Sequence, residues 1–286
     1  PRAGCIPSAS PFTLKLETWL RRCDIPYTNV SNQFTKMSTK GQIPFVEVNG
    51  RQHADSNFII EHLKTEFKKD PDADLSAAQK GQVTAYHALI ENLIFWTMVY
   101  NRGRDNAWMG TPKGFIGHLK GVKKIAFQKI ILPIQFRKKI WNGAMVQGIG
   151  RHNQFEMESI AKNAFDSLEL LIDGKPFFFG NAPTTLDITA FGHIAQFLYT
   201  PLLSEELKTH LETKCPNLTK MVHRLKDEFW PDWDESIEQL SLDTLWKADD
   251  RAKAAEEKAA AEAEAASKAE KKEDSKDEAK EEVKKE

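Results

Sequence analysis

The chain predicts a small α+β domain at residues 1–70, an all-α domain at 76–240 and a charged Ala/Lys/Glu-rich tail at 247–286. Three observations carry that division. Ile43-Pro44 leads into the alternating Phe45-Val46-Glu47-Val48, and Asn49-Gly50 folds the chain back, the strongest short hairpin signal a sequence offers. Ser10-Pro11 opens an amphipathic helix upstream of it. Beyond Asp70-Pro71-Asp72, which reads as an interdomain linker, the periodicity is helical without convincing strands.

The first helix has Ser at the N-cap, Pro at the first helical position, and Phe12, Leu16, Trp19 and Leu20 along one face. Asp24-Ile25-Pro26-Tyr27 ends it and starts an extended segment. No strand precedes the helix and the chain opens on Pro1, so it reads as an N-terminally truncated fragment whose first strand is missing. After the hairpin, Asp55-Ser56 stands ahead of Phe58, Ile59, Ile60 and Leu63, where a helix N-terminus would offer unpaired N–H groups to an anion.

In the second domain, residues 82–100 form an apolar-rich helix in which Glu91 and Asn92 interrupt Leu89, Leu93, Ile94, Trp96 and Val99, a buried helix rather than a membrane span. Residues 113–139 place Lys120, Lys123, Lys124, Lys129, Arg137, Lys138 and Lys139 among Phe127, Ile130, Ile131, Leu132 and Ile134. This is a solvated helix with a buried stripe, or a surface for acidic lipid or a partner. Gly148-Ile149-Gly150 follows no strand, which excludes a dinucleotide fingerprint. The adjoining Arg151 and His152 are candidates to meet a ligand carboxylate in a cleft, or to bridge structural carbonyls. Thr184 and Asp187 have capping-box spacing at the start of a buried helix, a structural element.

The hairpin with its Ile-Pro step and the helix-opening Asp55-Ser56 resemble the second half of the thioredoxin-like domain of the glutathione transferases. Ser10-Pro11-Phe12 resembles the first helix start of some transferase classes, and the Thr184 box resembles that of their helical domain. The resemblance implies a cis bond at Ile43-Pro44, and a glutathione site at Gln42, Ile43 and Pro44 for the cysteinyl backbone and at Asp55 and Ser56 for the γ-glutamyl carboxylate. It also implies a Ser10 hydroxyl aimed at the glutathione sulfur, where a donor lowers the thiol pKa. The residues themselves equally support Ser10 as a plain N-cap. Cys5 lies upstream of the helix start, and no Cys-x-x-Cys pair is present.

Cys5-Ile6-Pro7, the run from Ser10 to Leu20, Gly41 to Gly50, Gly148 to His152 and Cys215-Pro216-Asn217-Leu218 narrow the resemblance to the failed axon connections family, related to the metaxins and the nematode cadmium-responsive proteins. It spans roughly residues 1–240. Membership implies a cytoplasmic protein tied to axon development and neuronal signalling partners, and a homodimer is compatible with it.

Composition agrees with that setting. The 286 residues carry a net charge of −1, with no bias toward nucleic acid. Cys5, Cys23 and Cys215 are too few and too scattered for a disulfide framework, and neither they nor the eight histidines show metal-ligand spacing, so no metal is predicted. No secretory signal and no transmembrane segment is visible. The tail cannot build a core and reads as a transient helix or disorder.

Three functions fit. The favoured one is a binding or scaffold protein in axon development with weak or no transferase activity. The others are an active glutathione-dependent transferase using Ser10, and a metaxin-like mitochondrial import component.

Overall fold

The computed structural model describes residues 1–238 and the backbone of Leu245–Lys247; the tail reading at 247–286 falls outside the described residues except at Lys247, which ends a short strand. By its contacts the chain divides into two units, Pro1–Ile25 with Val30–Thr244, and Pro26–Asn29 with Leu245–Glu286. The extended segment after the first helix does form a strand, β1 (Thr28–Val30), but its partner is Leu245–Lys247 and not the hairpin, so the strands form two separate pairs.

In the larger unit, α1 (Pro11–Arg22) starts where Ser10 and Pro11 place it, the Ser10 side chain accepting from the Thr13 N–H. The hairpin joins β2 (Phe45–Val48) to β3 (Arg51–Ala54) with Phe45 opposite Ala54 and Val48 opposite Arg51. Asn49 and Gly50 both have positive φ, 50° and 73°, which matches the twist a two-residue turn needs. The Ile43-Pro44 bond is cis, as the resemblance implied. α2 (Ser56–Phe67) follows.

A continuous helix then runs as α3 (Ala77–Leu89), a π turn (Ile90–Ile94) and α4 (Phe95–Arg104). The basic segment is a second such helix: α5 (Gly121–Ala126), a π stretch (Phe127–Phe136) and α6 (Arg137–Gln147). Pro133 lies inside the π stretch, and widening the helix there moves away the carbonyl its ring would otherwise strike. α7 (Gln154–Ile172), α8 (Thr185–Tyr199), α9 (Glu206–Lys214), α10 (Pro216–Phe229) and α11 (Trp233–Glu238) complete the unit.

The core is organised around α8, every residue of which from Thr185 to Leu198 is buried. α1 lies against it so closely that a Cβ on Gly192 would stand 2.6 Å from the Pro11 carbonyl oxygen, so only glycine fits. The outer side of α1 is pinned by charge. Arg2 forks onto Glu17 at 2.9 and 3.0 Å, and Arg21 pairs with Asp232 while its guanidinium stacks 3.6 Å from the Trp230 ring centre. Trp230 Nε1 in turn donates to Thr18 Oγ1 at 2.9 Å. The first helix is thereby locked between α8 and the α10–α11 segment.

Candidate functional site

Ser10 is half-buried at the N-cap of α1, with its Oγ 3.3 Å from the Thr13 nitrogen. Two buried groups from the helical elements set the approach to it. Arg102 on α4 donates to the Ala9 carbonyl at 2.6 Å and to Gln196 Oε1 at 2.7 Å, and Gln196 on α8 donates to the Ser8 carbonyl at 3.2 Å. Full burial pulls even this guanidinium down, to about 10. Cys5 is no thiolate: burial pushes it up to about 11 against the pull of Arg102 and Lys113.

At the other candidate helix end, Asp55 caps α2 by accepting from the Asn57 N–H at 3.0 Å. It does so at φ 79° and ψ 120°, a conformation that costs a non-glycine residue about 1–3 kcal/mol. Ser56 is buried beside it, Gln42 is exposed and tied to Ser38, and Ile43 and Pro44 are half-buried.

Between the two helix starts lies a buried polar network. Lys15, fully buried on α1, donates to Glu91 Oε1 at 2.6 Å and also to Asn57 Oδ1, the second residue of α2. Asn57 Nδ2 donates to Glu91 Oε2 at 2.8 Å, and His87 Nε2 lies 3.0 Å from Asn57 Oδ1. The π turn supplies Glu91, in keeping with the way such turns gather at sites. Burial would raise the Glu91 carboxyl, but Lys15, His87 and His193 outweigh it and hold it low. Burial pulls the Lys15 ammonium down against the attraction of Glu91, and it lowers His87 as well.

His193 closes the network from α8. Its Nδ1 is 2.8 Å from the Thr189 carbonyl, its ring meets Phe12 edge-on at 5.2 Å, and burial depresses its pKa to about 4. Its Nε2 has no hydrogen-bond partner among the described residues. The sequence held a signal for this cluster that periodicity alone passes over. Lys15 falls on the apolar stripe of Phe12, Leu16 and Trp19, and Glu91 interrupts an apolar run, so two opposite charges each sit where only a buried partner could keep them.

Arg151 and His152 lie together just ahead of α7, at the end of a 3-10 turn (Ile149–Arg151). Tyr100 donates to the His152 carbonyl at 3.2 Å, and His152 Nδ1 is 3.4 Å from Glu156. Among the described residues no hydrogen bond or ion pair joins either to Ser10, Pro44 or Ser56. Thr184 and Asp187 form the box their spacing implied. Asp187 accepts from the Phe178 and Thr184 N–H groups at 2.8 Å each and from Thr184 Oγ1 at 2.6 Å. The linker takes part as well, in a way the sequence did not signal: Asp72 accepts from the Thr185 N–H at 2.8 Å and from Lys64 at 2.8 Å.

A thioredoxin-like helix start and hairpin joined to an all-α region with a buried capping box define the class. The family model of the glutathione S-transferase N-terminal domain matches residues 11–108, and that of the C-terminal domain matches 161–225. The beta-etherase LigF of Sphingobium sp. strain SYK-6 superposes with a TM-score of 0.51 at 14% identity, over 80% of this chain and 95% of that one. Failed axon connections of Drosophila melanogaster is 38% identical over 248 residues, 84% of this chain and 59% of that protein. The chain therefore belongs to the glutathione S-transferase-like superfamily, with the failed axon connections family. It spans somewhat under two thirds of the Drosophila relative. The isoprene-epoxide–glutathione S-transferase of Rhodococcus sp. (strain AD45) is 29% identical over 78% of this chain and 94% of its own length, and mouse metaxin-2 is 25% identical over 79% and 84%. Among the described residues no helix is long and apolar enough to cross a membrane.

Proposed function

We propose that this chain is a cytoplasmic binding protein on a transferase scaffold, acting in axon development, which holds glutathione at Gln42, Ile43, Pro44, Asp55 and Ser56 with little or no turnover. One observation carries the binding role. Residues 106–155 contain nine Lys and Arg and no Asp or Glu. The same stretch exposes Val122 by 82%, Ile125 by 61%, Ile130 by 50% and Ile134 by 58%. A cleft enzyme has no use for branched aliphatics held in water on a cationic ridge. An acidic protein partner with apolar contacts does.

Low turnover is supported by the Cys5 thiol, which burial holds protonated. Ser10 serves as the α1 cap by accepting from the Thr13 N–H, a bond that leaves its O–H proton available and so leaves Ser10 as the residue the assay must test. A second reading, an active transferase, is favoured by the near full-length match to the isoprene-epoxide enzyme. A third, a metaxin-like import role, is favoured by the metaxin similarity. Conjugation of glutathione to a broad panel of electrophiles, epoxides included, separates the first two. The scaffold reading expects the same near-background rate from the wild type and Ser10→Ala. A rate that falls tenfold or more in a folded Ser10→Ala variant replaces it with the enzyme.

A further inference from the structure

Three donors that are scattered along the chain converge where three helices meet. Asp166 comes from α7, His210 from α9, and Cys215 closes α9 and caps α10. His210 Nε2 stands 2.7 Å from Asp166 Oδ1, the Cys215 thiol points at the same oxygen from 3.5 Å, and the donor atoms all lie within 4.8 Å of one another. A tetrahedral zinc site with bonds of about 2.3 Å to sulfur and about 2.0–2.1 Å to nitrogen and oxygen sets its donors about 3.3–3.6 Å apart. The sulfur–oxygen pair already has that spacing. The nitrogen–oxygen pair has to open by about half an ångström as the proton between them leaves, and the sulfur–nitrogen pair, within 4.8 Å, has to sit at about 3.6 Å.

The surroundings support the same geometry. Glu169, one turn along α7, accepts from the Asn217 and Leu218 N–H groups and from Asn217 Nδ2, which fixes the first turn of α10 and so the backbone of Cys215. Cys215 is buried, whereas Asp166 is about half exposed, so an ion has a path in from solvent. A nucleophilic triad would place the histidine between the thiol and the carboxylate; here the carboxylate is central and His210 bonds to it and not to the sulfur. His210 and Cys215 thus both turn to one carboxylate oxygen from different helices, the convergence that a shared ion would use.

We propose that Asp166, His210 and Cys215 bind one divalent ion of the zinc class, with water as a fourth ligand, as a staple across α7, α9 and α10. Binding releases the thiol proton to solvent and uses neutral His210. His210 and Cys215 are five residues apart and Asp166 lies 44 residues before His210, so the ligand set shows in the fold and not in the spacing.

The test is titration of the reduced, chelator-stripped full chain with Co²⁺ and then Zn²⁺. The expected result is one Co²⁺ per chain with a near-ultraviolet thiolate-to-cobalt absorption that Zn²⁺ abolishes. Cys215→Ser and His210→Ala should lose the band, and Cys5→Ser and Cys23→Ser should keep it. Asp166→Asn, at a half-exposed position, covers the case in which a core variant fails to fold: Zn²⁺ should raise the melting temperature of the wild type by several degrees and leave this variant unmoved. A band that survives Cys215→Ser, or a wild type with neither band nor Zn²⁺-dependent shift, overturns the site.

Discussion

The starts of α2 and α8 both use an aspartate, Asp55 as the N-cap of one and Asp187 in the first turn of the other, and the two are built to opposite ends. At α8 the Asp187 carboxylate takes three donors, the Asp72 carboxylate takes the Thr185 N–H, and the whole cap is buried. At α2 the exposed Asp55 accepts from the Asn57 N–H, in a backbone conformation that favours glycine. The α8 start has its cap carboxylates satisfied by the protein itself and is buried away from any ligand. The α2 start is strained and sparsely satisfied, and it is braced from behind by the Lys15–Asn57–Glu91 network. Strain kept beside open N–H groups suits an end that waits for an anion.

The largest effect should come from the brace. Lys15→Met strands the Glu91 carboxylate in the interior and should cost about 3–5 kcal/mol, most of it recovered when Glu91→Leu is added. Urea unfolding of the two single variants and the double variant measures this. If the double variant is no more stable than Lys15→Met, the pair is not the unit described.

Next is Asp187→Ala, which orphans the buried N–H groups of Thr184 at the α8 start and of Phe178 in the turn before it and should cost about 2–4 kcal/mol in the same assay. A loss under 1 kcal/mol would mean that the box is not what holds α8.

The third effect is a change in pH dependence. His193 is held near 4 in the fold against 6.5 in the open chain, so its contribution is complete above pH 6.5 and is lost as pH falls toward 4. Burial raises Asp187 from 3.8 to about 6, so its contribution runs the other way: it is complete below the unfolded value and is lost as pH rises through 6. His193→Gln leaves Asp187 unopposed and should gain stability relative to the wild type between pH 6.5 and 4.5, by roughly 1 kcal/mol per pH unit. Parallel stability–pH curves for the two proteins would contradict this.

The smallest effect separates strain from capping at α2. Asp55→Ala keeps the unfavourable φ and loses the cap, at about 1 kcal/mol or more. Asp55→Gly loses the cap but relieves the backbone, and should lie close to the wild type. Equal losses in the two variants would remove the strain from the comparison.

The caps themselves were legible because they are local. Ser10-Pro11, Asn49-Gly50, Asp55-Ser56 and Thr184 with Asp187 each announce a boundary within four residues, and each boundary is where its chemistry puts it. What joins the caps was not legible. Lys15 meets Glu91 across 76 residues and Asp72 meets Thr185 across 113, and no period along the chain encodes such a meeting. The partner of β1 was hidden for the same reason: Leu245–Lys247 lies more than two hundred residues downstream. The π turn was read as Glu91 and Asn92 interrupting a helix, when the helix instead widens to place Glu91 beside Lys15.

The comparison of the two helix starts is tested most directly by calorimetric titration of glutathione into the wild type and Ser56→Ala. The account expects saturable binding to the wild type, weakened by roughly 1–3 kcal/mol in the variant through loss of a charge-assisted bond at the α2 N-terminus. Absence of binding to the wild type, or undiminished binding to Ser56→Ala, would contradict it.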